Sequence, residues 1–256
     1  MSPDKDFKLA SQCNLASRGV FVLVIVCSLL LLANPVDGIE KLIQPVLIVL
    51  CILGVVLGRV VRSCQTDGNR KLRESQLRDA FDIPLGEKMR QGYYNNVQQP
   101  SLERLALTIL ENTRFTIAII EETIIGSRIA TFGYVLLFIL LLAFRQTDLN
   151  WLLFLCQTIF SAEVVSAWAS FERFLSRTKQ ARQRLRQHFI ELNQNSKQSV
   201  SIPIVLSVFA EYECAKDEAA SPLDSKVYIR INPKESVKWQ EEMMELGIST
   251  QGASAP

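Results

Sequence analysis

The residues best suited to chemistry lie in a short polar segment, residues 92–96, which has the sequence GYYNN. Tyrosine rings such as those of Tyr93 and Tyr94 offer flat surfaces on which nucleotide bases stack. The amides of Asn95 and Asn96 can bind the edges of such bases or their phosphates. The segment is therefore a candidate nucleotide-binding site, and a structural turn whose amides cap the flanking helices is the alternative.

Arginines on either side of this segment could complete such a site. A guanidinium group forms strong, charge-assisted hydrogen bonds to phosphate oxygens, often two at a time. The candidates for phosphate contact are Arg90, Arg104 and Arg114. Together with the two tyrosines and the two asparagines, they make up the predicted nucleotide-binding set.

Two polar residues, Gln157 and Glu163, lie inside the last long apolar segment of the chain. A charged side chain in a membrane helix costs about 2.5–3.5 kcal/mol on insertion scales, so such a residue usually has a function. We expect the pair to line a pore or a polar seam between helices. The alternative is that Glu163 lies at the cytosolic end of its span and bonds to a neighbouring helix.

No pattern typical of an enzyme occurs in the sequence. It lacks the glycine-rich phosphate loops, the HExxH zinc motif and the GxSxG nucleophile motif. Its six cysteines are isolated and His188 is its single histidine, so we expect neither a metal centre nor a histidine-dependent triad. The net charge of +2 does not indicate a DNA or RNA partner. We predict a protein that is not an enzyme and needs no cofactor.

Four apolar segments dominate the chain, which has 256 residues and is 48% hydrophobic. A membrane-spanning helix needs about 20 residues, and in lipid the backbone must satisfy its own hydrogen bonds. Short turns join the first segment to the second and the third to the fourth. The sequence therefore predicts an all-α membrane protein with four transmembrane helices in two hairpins. The segments are residues 19–33, 39–61, 129–144 and 149–169.

Lysine and arginine residues are distributed unevenly around these segments. They cluster before the first, after the second, before the third and after the fourth, whereas only Lys41 and Arg145 lie in or next to the two short turns. Because such residues stay on the cytoplasmic side, we expect both termini and the long insert to face the cytoplasm. The predicted parts are a cytosolic N-terminus (1–18), a transmembrane hairpin (19–61), a helical cytosolic insert (62–128), a second hairpin (129–170), a cytosolic C-terminal region (171–246) and a disordered tail (247–256).

Helical periodicity predicts the structure of the cytosolic parts. The second span should continue as a helix that Pro84 and Gly86 break, and a new helix should begin at Ser101 and run into the third span. The fourth span should also continue as a helix, with basic residues between 173 and 186. These cations should contact anionic lipid headgroups, and a site for an anionic ligand is the alternative.

Two further helices are predicted after a polar linker, residues 193–199. The first begins at Ser201, although the β-branched residues within 202–209 leave a strand as the alternative. The second runs from Pro233 to Leu246.

Four short stretches also resemble a known protein family. They are QLRDAFD at 76–82, GYYNN at 92–96, LENTRF at 110–115, and a C-terminal group made of Glu211, Tyr212, residues 222–228 and Trp239. Their order, together with the two hairpins, is similar to the layout of the predicted four-transmembrane effectors associated with SMODS-type nucleotide cyclases. Such effectors act in cyclic-oligonucleotide-based antiphage signalling (CBASS). The tail after Leu246 has no counterpart in the family.

The resemblance implies an effector of the bacterial inner membrane. A partner nucleotide cyclase would make a cyclic di- or trinucleotide during infection, and the cytosolic side of the effector would bind it. The chains would then oligomerise and permeabilise the lipid bilayer, which leads to abortive infection. On this interpretation the predicted nucleotide-binding set holds the ligand, and Asp82, Glu111 and Asn112 form structural polar links. The alternatives are a constitutive channel or transporter, and a membrane-anchored sensor or scaffold that relays a signal to a partner.

Overall fold

The computed structural model describes residues 3–32, 39–85, 99–143, 163–194, 199–219 and 225–248. These residues form helices and short turns, and no strand occurs among them. The predicted all-α class is therefore confirmed for this part of the chain, and the strand considered within residues 202–209 is wrong. The helices are α1 (Pro3–Leu32), α2 (Ile39–Phe81), α3 (Leu102–Ala143), α4 (Glu163–Gln194), α5 (Ile202–Ala219) and α6 (Ser225–Glu245).

Two helices are long and apolar enough to cross a membrane. The candidate spans are Lys5–Ser28 in α1 and Ile43–Phe81 in α2, and the most apolar 18-residue stretches of these helices have mean hydropathies of 1.6 and 2.3, respectively. The most apolar part of α2 has none of its residues buried, and aliphatic side chains such as Val49, Ile52 and Val55 are exposed. A continuous exposed apolar surface of this kind is typical of a helix that faces lipid.

The third and fourth predicted spans are described only in part. α3 continues through residues 129–143, where Ile129, Phe132 and Leu136 are exposed as they would be in a lipid-facing helix. Residues 144–162, which hold most of the fourth apolar segment, lie outside the described residues. The number of four spans and their pairing in two hairpins therefore stay predictions.

The chain divides into two compact units. The first, named the apolar unit, consists of residues 4–66 and 125–169, and the second, named the polar unit, consists of residues 1–3, 67–124 and 170–256. Three helices, α2, α3 and α4, each continue without a break from one unit into the other. The prediction that these helices extend beyond the apolar segments is therefore confirmed.

A shared apolar core holds the polar unit together. Leu105 and Ile109 of α3 are buried, and their four-residue spacing places them on one face of the helix, as the sequence period predicted. Helices α4, α5 and α6 also contribute buried apolar side chains to this core. These include Phe174, Ala181, Leu185 and Phe189 of α4, Val205, Val208 and Phe209 of α5, and Trp239, Met243 and Leu246 of α6.

The junction between α2 and α3 follows its local sequence signals. α2 ends at Phe81, and Asp82 takes a left-handed conformation with a φ of 53°. Ser101 caps α3 as predicted, because its Oγ accepts a hydrogen bond of 3.1 Å from the backbone N–H of Arg104. The backbone N–H of Ser101 donates to the carbonyl of Ala80 at 2.8 Å, which ties the start of α3 to the end of α2.

The last helix begins earlier than the sequence predicted. Pro233 lies inside α6, which starts at Ser225. Proline cannot donate one helical hydrogen bond, but contacts with α3 hold the turns before it. The ring of Tyr228 packs against Phe115 with centroids 5.9 Å apart, and Arg230 forms an ion pair with Glu122. Tertiary packing thus outweighs a local helix-breaking signal.

The first two residues of the predicted tail cap α6. The backbone N–H of Gly247 donates to the carbonyl of Met244, and that of Ile248 donates to the carbonyl of Met243, both at 3.0 Å. This pair of bonds is a Schellman motif, which needs a left-handed residue, and Gly247 supplies it with a φ of 68°. Residues 249–256 of the tail lie outside the described residues.

Candidate functional site

The structure describes only two members of the predicted nucleotide-binding set. Arg90 and residues 93–96 lie outside the described residues, as does Gln157 of the predicted polar seam. Glu163, the other member of that seam, is the first residue of α4. Arg104 and Arg114 both belong to α3 and are separated by roughly 15 Å along its axis, at 1.5 Å per residue. They therefore lie at different levels of the polar unit.

Arg104 lies in the first turn of α3. Its backbone N–H donates to the capping Ser101, and its carbonyl accepts a hydrogen bond of 2.9 Å from Oγ1 of Thr108. Its side chain is half-buried. Arg104 thus follows the segment 92–96 closely in the chain, and its contact with phosphate stays a prediction.

Arg114 lies in an ion-pair cluster that joins α3, α4 and α6. Its Nε lies 3.2 Å from Oε2 of Glu235, and its Nη1 lies 2.5 Å from Oε2 of Glu242. Glu242 also pairs with Arg182, and its Oε1 lies 3.4 Å from Nε of Arg186. These five residues are named the Glu242 cluster, and they connect the C-terminal helix to the two helices that carry the arginines.

Four of the five charges in the Glu242 cluster are largely removed from solvent, whereas Arg186 is 44% exposed. The side chain of Glu242 is 5% exposed, and those of Arg114 and Arg182 are 15% and 18% exposed. Burial lowers the pKa of Arg182; attraction by Glu242 opposes this effect, and repulsion from Arg114 and Arg186 adds to it. Arg182 therefore depends on the buried carboxylate of Glu242, and loss of that charge would leave Arg182 repelled by Arg114 and Arg186.

Glu235 is held in its charged form by two cations. Burial favours the neutral acid, but hydrogen bonds and charges from Lys238 and Arg114 outweigh it and lower the pKa of Glu235 below its ordinary value of 4.5. The Nζ of Lys238 lies 2.5 Å from Oε1 of Glu235. Because the folded pKa is the lower one, this carboxylate stabilises the fold above pH 4.5, and the contribution is lost as the pH falls through the folded value.

Two of the stretches that carry the family resemblance meet in the polar unit. Phe115, in the stretch 110–115, packs against Tyr228 of the C-terminal group. Next to Phe115, the hydroxyl groups of Thr116 and Tyr212 share a hydrogen bond of 2.9 Å. Thr116 and Tyr212 are 96 residues apart in the sequence, so it is the fold that brings these positions together.

Comparison with known proteins adds no relative. No family model, no curated protein and no solved structure matches this chain. The resemblance to cyclase-associated effectors therefore stays a prediction, and the function has to be inferred from the residues of the chain itself.

A second ion-pair network, which the sequence did not predict, links α2 to α5. Arg73 pairs with Asp217, and its Nε lies 3.2 Å from Oε2 of Glu213. Asn69 donates a hydrogen bond of 3.0 Å to Asp217, and Nζ of Lys216 lies 2.7 Å from Glu213. No local signal could reveal the contacts between the two helices, because Arg73 is 140 and 144 residues away from its partners.

Ion pairs within the polar unit hold five basic residues of α4: Arg177, Lys179, Arg182, Arg184 and Arg186. The prediction of an anchor to lipid headgroups therefore applies only to side chains that remain accessible. Arg177 and Arg184 fulfil that condition, since each is 48% exposed. The exposed pairs along the described part of this helix are Arg177–Glu218, Lys179–Glu121, Arg184–Glu211 and Arg186–Glu245.

The histidine has a structural contact. Nε2 of His188 accepts a hydrogen bond of 2.9 Å from the backbone N–H of Ser201, at the start of α5. Within the described ranges, no group of three His, Cys, Asp or Glu side chains is placed to hold a metal ion. The chemical feature that recurs in the polar unit is an arginine paired with a carboxylate. In such a pair another anion can replace the carboxylate.

Proposed function

We propose that this chain is an inner-membrane effector of a CBASS-type antiphage system, which binds a cyclic oligonucleotide on its cytosolic side and then permeabilises the membrane as a homo-oligomer. Two helices long and apolar enough to cross a bilayer support the membrane location. The stretches that resemble cyclase-associated effectors support a role in nucleotide signalling. The observation that carries the proposal is the unbroken course of α2, α3 and α4 from the apolar unit into the polar unit.

Continuous helices give ligand binding a route to the membrane. α3 contains Arg104 and Arg114 of the predicted nucleotide-binding set as well as residues 129–143 of the predicted third span. A ligand shifts a conformational equilibrium only as far as it binds one state more tightly than the other. A nucleotide that selects one position of α3 would therefore also select one position of the span.

The Glu242 cluster supplies a possible competitor for the phosphate. The guanidinium of Arg114 is engaged by Glu235 and Glu242. A nucleotide phosphate that takes over the Nε or Nη1 donor of Arg114 displaces one of these carboxylates, since their oxygens accept hydrogen bonds from those two nitrogens. On this proposal, ligand binding loosens α6 from α3.

A constitutive channel is less well supported than a gated effector. Between residues 46 and 58, α2 carries aliphatic side chains, two glycines and Cys51. A water-filled path needs polar groups along its wall, and this part of α2 offers none. The predicted polar residues Gln157 and Glu163 belong to the fourth segment, so any pore would have to form around that segment.

Release of a trapped dye from vesicles tests the proposal. The purified chain is reconstituted, and cyclic di- and trinucleotides are added one at a time, with their linear forms as controls. We expect one cyclic nucleotide to trigger release and its linear form to be inactive. Release without any nucleotide would indicate a constitutive channel, and binding without release would indicate a sensor or scaffold.

Two double variants locate the ligand. Tyr93→Ala with Tyr94→Ala removes both stacking surfaces, and we expect the nucleotide concentration needed for release to rise about tenfold or more, because stacking contributes about 1–3 kcal/mol per base. Tyr93→Phe with Tyr94→Phe keeps the rings and should respond like the unaltered chain. An unchanged response of the alanine variant would exclude the two tyrosines from the site.

A further inference from the structure

A cavity of about 230 Å³ lies between α4 and α5 in the polar unit. Arg173 and Arg177 of α4 and Glu218 of α5 supply its charged groups, and Ser170 adds a hydroxyl. The buried ring of Phe174 forms part of its wall. Arg173 and Arg177 are four residues apart and therefore share one face of α4. The cavity thus presents two neighbouring cations from a single helix.

The charged groups of this cavity suit an anion with several oxygens. Nη1 of Arg177 lies 2.7 Å from Oε2 of Glu218, and the two side chains are 48% and 59% exposed. An ion pair with that exposure contributes little to stability, so an incoming anion can exchange with the carboxylate. A phosphate group can accept charge-assisted hydrogen bonds from both arginines at once.

The cavity begins where the fourth apolar segment ends. Ser170 directly follows residues 149–169, and Trp168 lies just before it. Tryptophan is enriched at the level of lipid headgroups. At 1.5 Å per residue, Arg173 and Arg177 lie roughly 8 Å and 14 Å beyond Trp168 along α4, within reach of headgroups for long cationic side chains.

We propose that this cavity binds a phosphate group, with Arg173 and Arg177 as its main donors, Ser170 as a further donor, and Glu218 as the carboxylate that the phosphate displaces. The position after an apolar segment favours the headgroup of an anionic phospholipid as the source. A free phosphate in solution offers the same chemistry. The site is separate from the nucleotide-binding set, so either proposal can fail without the other.

Thermal unfolding of the full chain in a neutral detergent measures binding from both sources, because a ligand that binds the folded state raises Tm. One arm adds phosphatidylglycerol to the micelles, with phosphatidylcholine as the lipid control. The other arm adds inorganic phosphate, with sodium chloride at equal ionic strength as its control. The concentration that gives half of the maximal rise in Tm is the quantity compared between variants.

Three variants make the test specific. Arg177→Gln should raise the half-maximal concentration by roughly threefold to tenfold, because one partly exposed charge-assisted bond is lost. Glu218→Gln should lower it, because the competing carboxylate is gone. Arg184→Gln is the matched control, since Arg184 lies on the same helix, is equally exposed at 48%, and pairs with Glu211 outside the cavity.

The two arms distinguish the sources. A response to phosphatidylglycerol alone assigns the site to a lipid headgroup, and a response to inorganic phosphate alone assigns it to a soluble phosphate. Either supports the site if Arg177→Gln and Glu218→Gln shift it in opposite directions. No response in either arm, or equal effects of Arg177→Gln and Arg184→Gln, would overturn the proposal.

Discussion

Glu242 is a buried carboxylate that pairs with arginines of two neighbouring helices. It pairs with Arg114 of α3 and with Arg182 and Arg186 of α4. Removing one partner from a buried ion pair leaves the remaining charge without compensation, and this usually costs more than the pair had contributed. Glu242 should therefore control how firmly α6 is attached to the two helices beside it.

Glu242→Gln should destabilise the folded chain by about 3 kcal/mol, because the largely buried Arg182 would lose its carboxylate partner and would still be repelled by Arg114 and Arg186. The measurement is denaturant unfolding in detergent, followed by circular dichroism. Glu241→Gln is the matched control, because Glu241 is the preceding residue of α6 but is exposed; its effect should stay within about 0.5 kcal/mol. Equal stabilities of the two variants would show that the charge of Glu242 does not hold α6.

Single side chains were predictable only where their partners are close in sequence. The cap formed by Ser101 could be predicted, since it bonds to Arg104 three residues later. Arg114 has partners 121 and 128 residues away. The charge of an arginine indicates that an anion lies nearby, but a carboxylate of the same chain and a ligand phosphate satisfy it equally well. The sequence therefore marked Arg114 as a candidate for binding an anion but could not identify that anion.

The helices were predictable where periodicity and local signals agree. The end of α2 at Phe81 lies just before residues that favour turns, and the start of α3 lies just after Ser101, which favours the N-cap position. The start of α6 was misplaced at Pro233, because the contacts of Tyr228 and Arg230 with α3 stabilise the preceding turns. Those contacts form only in the folded chain, so local sequence signals could not predict them.

Gly247→Ala tests the cap that ends α6. Gly247 has a φ of 68°, and a Cβ there would lie 2.9 Å from Oδ1 of Asn193. We expect a loss of about 1–2 kcal/mol, visible as a lower Tm, because the left-handed conformation is strained for any residue with a Cβ. Gly126→Ala is the control: Gly126 is helical with nothing within 4 Å of the added atom. It should leave Tm unchanged or slightly higher, and equal Tm values for both variants would contradict the cap.

At the scale of the whole molecule, the exposed aliphatic side chains of α1 and α2 lie in the apolar unit, and the ion-pair networks lie in the polar unit. α1 and α2 carry the exposed apolar residues of the candidate spans, whereas the polar unit is closed by an apolar core and by the ion pairs of Arg73 and Glu242. The apolar segments predicted this separation, since their length and composition suit lipid better than water. The function of the polar unit depends on specific contacts between side chains, which amino-acid composition does not predict.

Thiol labelling tests the central claim, that apolar helices cross the membrane and leave the polar unit in the cytoplasm. Two cysteines of the chain are suitable reporters. Cys214 is exposed on α5 in the polar unit, and Cys51 lies in the apolar part of α2. Each variant keeps one of these two cysteines and has the other five cysteines of the chain replaced. The variants are treated with a membrane-impermeant maleimide, and labelling after denaturation shows that each remaining thiol is intact.

Cys214 should be labelled in inside-out membrane vesicles and not in intact spheroplasts, and Cys51 should be labelled in neither, because lipid shields it. Labelling of Cys214 in intact spheroplasts would place the polar unit outside the cell, where it could not meet a cytosolic nucleotide, and would contradict the proposed topology and function together.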